Sequence, residues 1–132
     1  MGKAPKEVIV YQGPCFAIEW FYKESGTSES LEYYDALPDD RRRKLLVLAK
    51  RIGDTGQIFD KTKFRYEGDK IYSFKPQPDR FLCFFTHGRK IIITGAFEKK
   101  SQKFPRREKE KALNAMKSYE ERVRKGIYYE NL

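Results

Sequence analysis

Residues 70–97, KIYSFKPQPDRFLCFFTHGRKIIITGAF, decide the fold that the sequence predicts. Three runs in this stretch are rich in branched and aromatic residues, which favour β-strands. Two short turn sequences, PQPD and HGRK, separate the runs, and Gly88 gives the second turn a permissive backbone. The predicted strands are residues 70–75, 80–86 and 90–97. Because the turns are so short, we expect an antiparallel three-stranded meander.

The first of these strands alternates between two kinds of residue. Since successive side chains of a strand point to opposite faces, Ile71, Ser73 and Lys75 should share one face of the sheet. Tyr72 and Phe74 should share the other face.

The sequence outside the meander predicts one further strand region and three helices. Residues 8–12 and 15–22 have strand composition and are split by Gly13-Pro14. Two helices are predicted in the N-terminal half, a short one up to Leu37 and a longer one that Pro38 begins and Gly53 or Gly56 ends. A third helix should run from Pro105 to Gly126. The predicted fold is α+β: a small antiparallel sheet (the meander plus an N-terminal strand) with the helices packed on one face.

The length and the absence of certain signals limit the class of protein. A chain of 132 residues fits a single domain, 1–132, in which 1–27 forms an N-terminal extension and strand region. No apolar run approaches the roughly 20 residues that cross a bilayer, and the N-terminus lacks the pattern of a signal peptide. We therefore expect a cytoplasmic protein with no membrane partner. Cys15 and Cys83 lie in apolar runs, as reduced, buried thiols do.

The positive charge is concentrated in the second half of the chain. Residues 1–60 contain 9 Lys and Arg against 10 Asp and Glu, a net charge of −1. Residues 61–132 contain 19 against 9, a net charge of +10. This segregation favours a polyanionic partner, either a nucleic acid or an acidic protein. A basic face that is merely solvated remains the alternative.

The residue types exclude several kinds of active site. His87 is the one histidine, it falls in a predicted turn, and no acidic cluster has the spacing of metal ligands, so neither a metallonuclease nor a histidine-activated nucleophile is expected. No metal or cofactor is predicted. A cationic site is what remains, and the candidate side chains are Lys63, Arg65, Lys75, Arg80, Lys99, Lys100, Lys103, Arg106 and Arg107. The basic run at 41–44 is interpreted as the solvated face of a helix, with contact to ribosomal RNA as the alternative.

Four of these cations should converge at one rim of the sheet. Arg80 begins the middle strand of the meander, Lys75 ends its neighbour, and Lys99 and Lys100 follow the third strand. Clustered cations repel one another, and a bound polyanion would stabilise them. For Arg80, a simple ion pair with Asp79 or Glu98 is an almost equally weighted alternative.

The segment 70–123 resembles the RelE/HigB-like toxin superfamily, and most of all its phage-derived or plasmid-addiction branch. The residues that carry the resemblance are Arg80 at the start of the central strand, Phe97 at the end of an aliphatic strand, the run KKSQKFP at 99–105, and Ala112 in the following helix. Upstream, the 37–52 helix and Lys63 also fit. The likeness covers about residues 28–124.

The resemblance implies the toxin of a toxin–antitoxin system. Such proteins are metal-independent, ribosome-dependent endoribonucleases that cut mRNA and are held inactive by a cognate antitoxin protein. The ribose 2′-hydroxyl attacks the adjacent phosphate, and cations stabilise the charge that develops. The implied catalytic residues are Arg80, Lys99, Lys100 and Lys75. The implied RNA-binding residues are Lys63, Arg65, Lys103, Arg106 and Arg107.

The chain departs from the resemblance at three positions. The best-studied members carry two lysines where this chain has Ile71 and Ser73, and a late tyrosine where it has Arg106. The resemblance therefore implies no general acid or base. Tyr72, His87, Tyr128 and Tyr129 qualify only if the fold brings them to the cations. Two alternatives stay open, a protein on the same fold that binds RNA or the ribosome without cutting, and a basic module that binds an acidic protein.

Overall fold

The computed structural model describes residues 6–132. Three α-helices, α1 to α3, span Glu29–Asp35, Asp39–Thr55 and Arg106–Arg124, and a short 3₁₀ helix spans Tyr129–Asn131. Six strands, β1 to β6, span Ile9–Gln12, Ala17–Trp20, Phe64–Gly68, Ile71–Phe74, Asp79–Thr86 and Lys90–Glu98. No helix in this part of the chain is both long enough and apolar enough to cross a bilayer.

The strands form one six-stranded mixed sheet in the order β1-β2-β6-β5-β4-β3. The predicted small antiparallel sheet is therefore wrong. β2 pairs in parallel with β6, with Ala17 opposite Lys90 and Trp20 opposite Ile93. A parallel pair needs a long crossover connection, and here residues 21–89 provide it. The antiparallel meander lies inside this larger sheet as β4, β5 and β6.

β3 is a strand that the sequence pattern does not predict. It pairs with β4 at the edge of the sheet, and Arg65 and Tyr66 on it are exposed. An edge strand has one neighbour, so its side chains include more polar residues than those of a central strand. Because of this polar composition, the sequence pattern does not indicate that β3 is a strand.

The helices cover both faces of the sheet, not one face as expected. α2 packs on β1 and β2, and α1 packs on β6, over a core that includes Leu45, Ile52 and Phe81. α3 packs on β4, β5 and β6 over a second core that includes Leu82 and Ala112.

The central strand β6 shows why two layers of helices are needed. Ile91 and Ile93 join the core under α1 and α2, whereas Ile92 joins the core under α3. A strand that is buried on both faces reads as a continuous apolar run. The run of three isoleucines therefore fits a central strand of a three-layer domain.

Candidate functional site

A cationic cleft of about 450 Å³ lies on the α3 face of the sheet, near the start of α3. The residues that line this cationic cleft are Arg65, Glu67, Lys75, Arg80, Lys99, Gln102 and Phe104. Four of the seven carry positive charge, and one carries negative charge. The cleft therefore combines a strong positive field with a single carboxylate.

Strand pairing brings these cations together from distant parts of the sequence. Arg80 at the start of β5 is opposite Phe97 near the end of β6. The backbone N–H of Lys99 donates to the carbonyl of Pro78 at 2.9 Å, which fixes the chain just beyond β6. The side chains of Arg80, Lys75 and Lys99 consequently meet, as predicted. Arg65 joins them from β3, where the sequence pattern does not predict a strand.

Lys100 and the other predicted cations lie outside the cleft lining. Lys100, Lys103, Arg106 and Arg107 are exposed on the loop after β6 and on the first turn of α3. Lys63 lines a separate depression of about 260 Å³ with Lys44 and Arg51. Arg106 and Arg107 begin a helix, where the helix dipole disfavours positive charge.

Arg80 is the central side chain of the cleft and is only 7% exposed. Its Nη1 donates to the carbonyl of Asp79 at 3.0 Å and to Oε1 of Gln77 at 3.2 Å. Within residues 6–132, no carboxylate oxygen lies within 4.0 Å of its guanidinium nitrogens. The guanidinium thus hydrogen-bonds only to neutral acceptors, and Glu67 and Asp79 act on it at longer range.

Asp79, the adjacent candidate partner of Arg80, is instead held by α1 and α2. Its buried carboxylate accepts hydrogen bonds from Nε of Arg41 at 3.0 Å and from Nη2 of Arg41 at 2.5 Å. The hydroxyl of Tyr33 also donates to Asp79, at 2.5 Å. The interpretation of the 41–44 run as a purely solvated face is therefore wrong at Arg41. The ion-pair alternative for Arg80 is wrong as well, because Arg41 takes the carboxylate of Asp79 and lies 3.7 Å from that of Glu98.

The protonation of Lys75 responds to the crowding of cations. Its Nζ donates to the carbonyl of Lys61 at 3.1 Å. Desolvation, followed by repulsion from Arg80 and Arg65, holds the pKa of Lys75 below the usual value for a lysine. Desolvation also lowers the pKa of Arg80, and the negative charges of Glu67 and Asp79 oppose this effect. A bound anion would relieve both penalties.

Glu67 is a candidate functional residue that the sequence analysis missed. It lies on β3 at the irregularity in pairing between Tyr66 and Gly68, and it lines the cleft together with Arg65. The hydroxyl of Ser73 donates to its Oε2 at 2.6 Å. Oε1 has no hydrogen-bond partner in the described part of the chain. The sequence indicates this position only once β3 is known to be a strand.

The remaining acid–base candidates lie away from the cleft. Tyr72 packs among aromatic rings on the opposite face, and His87 is exposed in the turn between β5 and β6. The hydroxyl of Tyr128 accepts a hydrogen bond from the N–H of Tyr22 at 2.9 Å. Tyr129 donates to Oε1 of Glu19 at 2.9 Å. None of these four lines the cationic cleft.

Two observations complete the chemistry of the site. Phe104 adds an apolar ring to the cleft and packs edge-on against Phe97, with 5.7 Å between ring centroids. Within residues 6–132, no group of three His, Cys, Asp or Glu side chains is placed to hold a metal ion. The cleft can therefore hold an anion electrostatically, next to one carboxylate and one aromatic ring.

Comparison with known proteins identifies the family. No curated protein matches the chain. A family model, described as "Phage derived protein Gp49-like (DUF891)", matches residues 32–117. This match includes α2, the second half of α1 and every residue of the cationic cleft, and it agrees with the phage-derived branch of the predicted resemblance. The wider RelE/HigB relationship stays a prediction. The chain belongs to the family of Gp49-like phage-derived proteins.

Proposed function

We propose that this protein is the toxin of a toxin–antitoxin system and cleaves mRNA on the ribosome without a metal ion. The Gp49-like family is associated with toxins of such systems, which supports the first half of the proposal. The chemistry of the cationic cleft supports the second half. Its cognate antitoxin would be the second partner.

The observation that carries the proposal is the buried, unpaired guanidinium of Arg80. Burying a charge that has no direct ion-pair partner is unfavourable by roughly several kcal/mol when nearby charges do not offset it, and Glu67 and Asp79 offset only part of it here. A phosphodiester bound in the cleft would supply the missing negative charge. Arg80 offers two parallel N–H donors to a phosphate, and Lys75 and Lys99 supply mobile point charges.

The proposed reaction assigns an acid and a base to side chains of the cleft. The carboxylate of Glu67 takes the proton of the ribose 2′-hydroxyl, whose oxygen then bonds to the adjacent phosphorus. Ser73 is a positioning residue, because its hydroxyl fixes one oxygen of that carboxylate. Arg80, Lys99 and Arg65 stabilise the charge on the phosphorane oxygens.

The second half of the step breaks the bond between phosphorus and the 5′-oxygen. The ammonium of Lys75 gives its proton to the departing 5′-oxygen, a role that a lowered lysine pKa assists. The products are a 2′,3′-cyclic phosphate and a 5′-hydroxyl end. Glu67 gains one proton and Lys75 loses one, so the step is balanced in protons. It consumes no metal ion, water or cofactor.

A protein that binds RNA without cutting it is the second candidate function. Two positions favour it: Ile71 is buried under α3 and Ser73 is engaged with Glu67, where the best-studied members of the wider superfamily carry lysines. On this alternative the cationic cleft and its affinity for phosphate would be unchanged, but Glu67 would have no catalytic role.

Cleavage on translating ribosomes tests the proposal directly. Purified protein is added to an in vitro translation reaction, and cleaved mRNA is mapped by primer extension. Arg80→Met and Glu67→Gln should each lower the rate of cleavage by at least about 100-fold, since each removes a group used in the transition state. Lys117→Ala is the matched control, because Lys117 is an exposed cation of α3 outside the cleft.

The same variants separate the candidate functions. In cells, induction of the unmutated chain should stop growth, and Arg80→Met should restore it. If Glu67→Gln still cleaves at the rate of the unmutated chain, the proposed base is wrong. If RNA binds in a salt-dependent manner but is never cut, the non-cleaving alternative is correct.

A further inference from the structure

A second, aromatic surface lies beside the cationic cleft, on the α2 face of the sheet. Phe59, Tyr66, Tyr72 and Phe85 form this aromatic surface, which borders an open depression of about 660 Å³. Phe59 is 82% exposed and Tyr66 is 54% exposed. Apolar rings grouped in this way on an exposed surface indicate a binding site.

The rings form a connected ladder across three strands. Tyr66 on β3 is opposite Tyr72 on β4, and their ring centroids are 4.9 Å apart. Tyr72 is in turn 5.0 Å from Phe85 on β5. α2 packs mainly on β1 and β2, and only its C-terminal end, at Ile52 and Gly56, borders this depression. The ladder therefore offers ring faces and edges to a flat ligand.

Cations surround the aromatic surface and join it to the cationic cleft. Lys61 and Arg65 line the same depression as the rings. Arg65, on the edge strand β3, also lines the cationic cleft. One arginine thus separates the two sites, and neighbouring nucleotides of one strand could occupy both.

We propose that the aromatic surface is a base-stacking subsite for single-stranded RNA whose backbone continues over β3 into the cationic cleft. The proposal rests on the proposed function, because it needs RNA in that cleft. The charges favour RNA over a protein partner: a polyanion would be neutralised by Lys61 and Arg65 while its bases cover the rings. Stacking on aromatic side chains tolerates any base, so this subsite would hold the strand without selecting its sequence.

The experiment measures binding of a strand that cannot be cut. A fluorescein-labelled single-stranded RNA with 2′-O-methyl groups lacks the attacking hydroxyl, and its affinity is read by fluorescence anisotropy. Phe59→Ala and Tyr66→Ala should each weaken binding by about 5- to 150-fold, the range expected when the aromatic ring under one stacked base is removed. Val123→Ala is the control, because Val123 is an exposed apolar residue of α3 outside both sites.

Two further sets of measurements test whether loss of base stacking causes the weaker binding. Phe59→Tyr keeps the ring and should bind as the unmutated chain does, whereas Phe59→Leu keeps apolar area and should bind weakly. Replacing single nucleotides by abasic ones should weaken binding at one or two positions. At those positions Phe59→Ala or Tyr66→Ala should have no additional effect, because the stacked base is already absent.

Each outcome has a defined meaning. If Phe59→Ala, Tyr66→Ala and Phe59→Leu bind RNA normally while Arg80→Met does not, the subsite proposal fails and the proposed function stands. If the unmutated chain does not bind the strand, the subsite proposal fails as well. If these variants weaken capture of the antitoxin but not of RNA, the surface is a protein-docking site and the proposal is overturned. If the subsite variants weaken binding although no RNA is ever cut, the subsite stands and the proposed catalysis fails.

Discussion

Replacing each of two arginines, the buried Arg80 and the half-buried Arg41, by methionine should have opposite effects on stability. Arg80 and Arg41 lie close together in the fold, on either side of Asp79, but only Arg41 has a carboxylate partner. Methionine keeps most of the length of the arginine side chain and removes its charge. The comparison therefore isolates the free energy of each charge in the folded state.

The size of each change in the free energy of unfolding follows from the contacts that each guanidinium makes. Arg80→Met loses two hydrogen bonds to neutral acceptors, together worth about 1 to 3 kcal/mol, but removes a charge whose burial costs roughly several kcal/mol. We expect the free energy of unfolding to rise by about 1 kcal/mol. Arg41→Met leaves the buried carboxylate of Asp79 without its cation, which should lower that free energy by about 3 to 5 kcal/mol.

Thermal unfolding followed by circular dichroism measures both effects. For 132 residues the entropy of unfolding is about 0.28 kcal/mol/K. The Tm should therefore rise by about 4 °C in Arg80→Met and fall by about 11 to 18 °C in Arg41→Met. If Arg80→Met lowers the Tm by as much as Arg41→Met does, Arg80 is a structural residue. The main argument for an anion in the cleft would then be refuted.

Three further predictions concern the cleft, the core and one close backbone contact. In Arg65→Gln, loss of a nearby positive charge should raise the pKa of Lys75, so the alkaline limb of the cleavage rate profile should move to higher pH. Burial raises the pKa of Tyr128 to about 12. The stability that its protonated hydroxyl contributes is therefore complete below about pH 10 and is lost as the pH rises through about 12. Alkaline titration followed by tyrosinate absorbance and circular dichroism should show unfolding in that window, and the midpoint of this unfolding should shift in Tyr128→Phe. Gly13→Ala places a Cβ 2.3 Å from the carbonyl carbon of Gly53, so denaturant unfolding should show a loss of at least about 2 kcal/mol as the backbone moves.

Local pattern predicted the helices and the meander because their signals lie within short segments. Ile71 and Phe74 lie in the two different cores, as the alternation of 70–75 predicts. No local sequence signal predicts the parallel pairing of Trp20 with Ile93. The composition of a strand indicates that it is a strand, but not which other strand it pairs with. That missing information accounts for the error in the sheet.

The cationic cleft was predictable where it depends on the meander and not where it depends on distant elements. Lys75, Arg80 and Lys99 are joined by two short connections, so their meeting follows from antiparallel pairing. Glu67 depends on the unpredicted edge strand. The partner of Asp79 is Arg41, which is 38 residues away on α2 and could not be chosen over the adjacent Arg80 without the fold.

The parallel pairing of β2 with β6 also sets the order in which the protein can fold during its own synthesis. Translation delivers the N-terminal residues first, yet Ala17–Trp20 must wait for Lys90–Glu98 before its inner edge is covered. A nascent chain that stops short of β6 has neither the central strand nor Lys99, so it can hold no working cleft. Contacts between such distant residues also slow folding. A protein proposed to attack translation would therefore be harmless to the ribosome that makes it until most of its own message has been read.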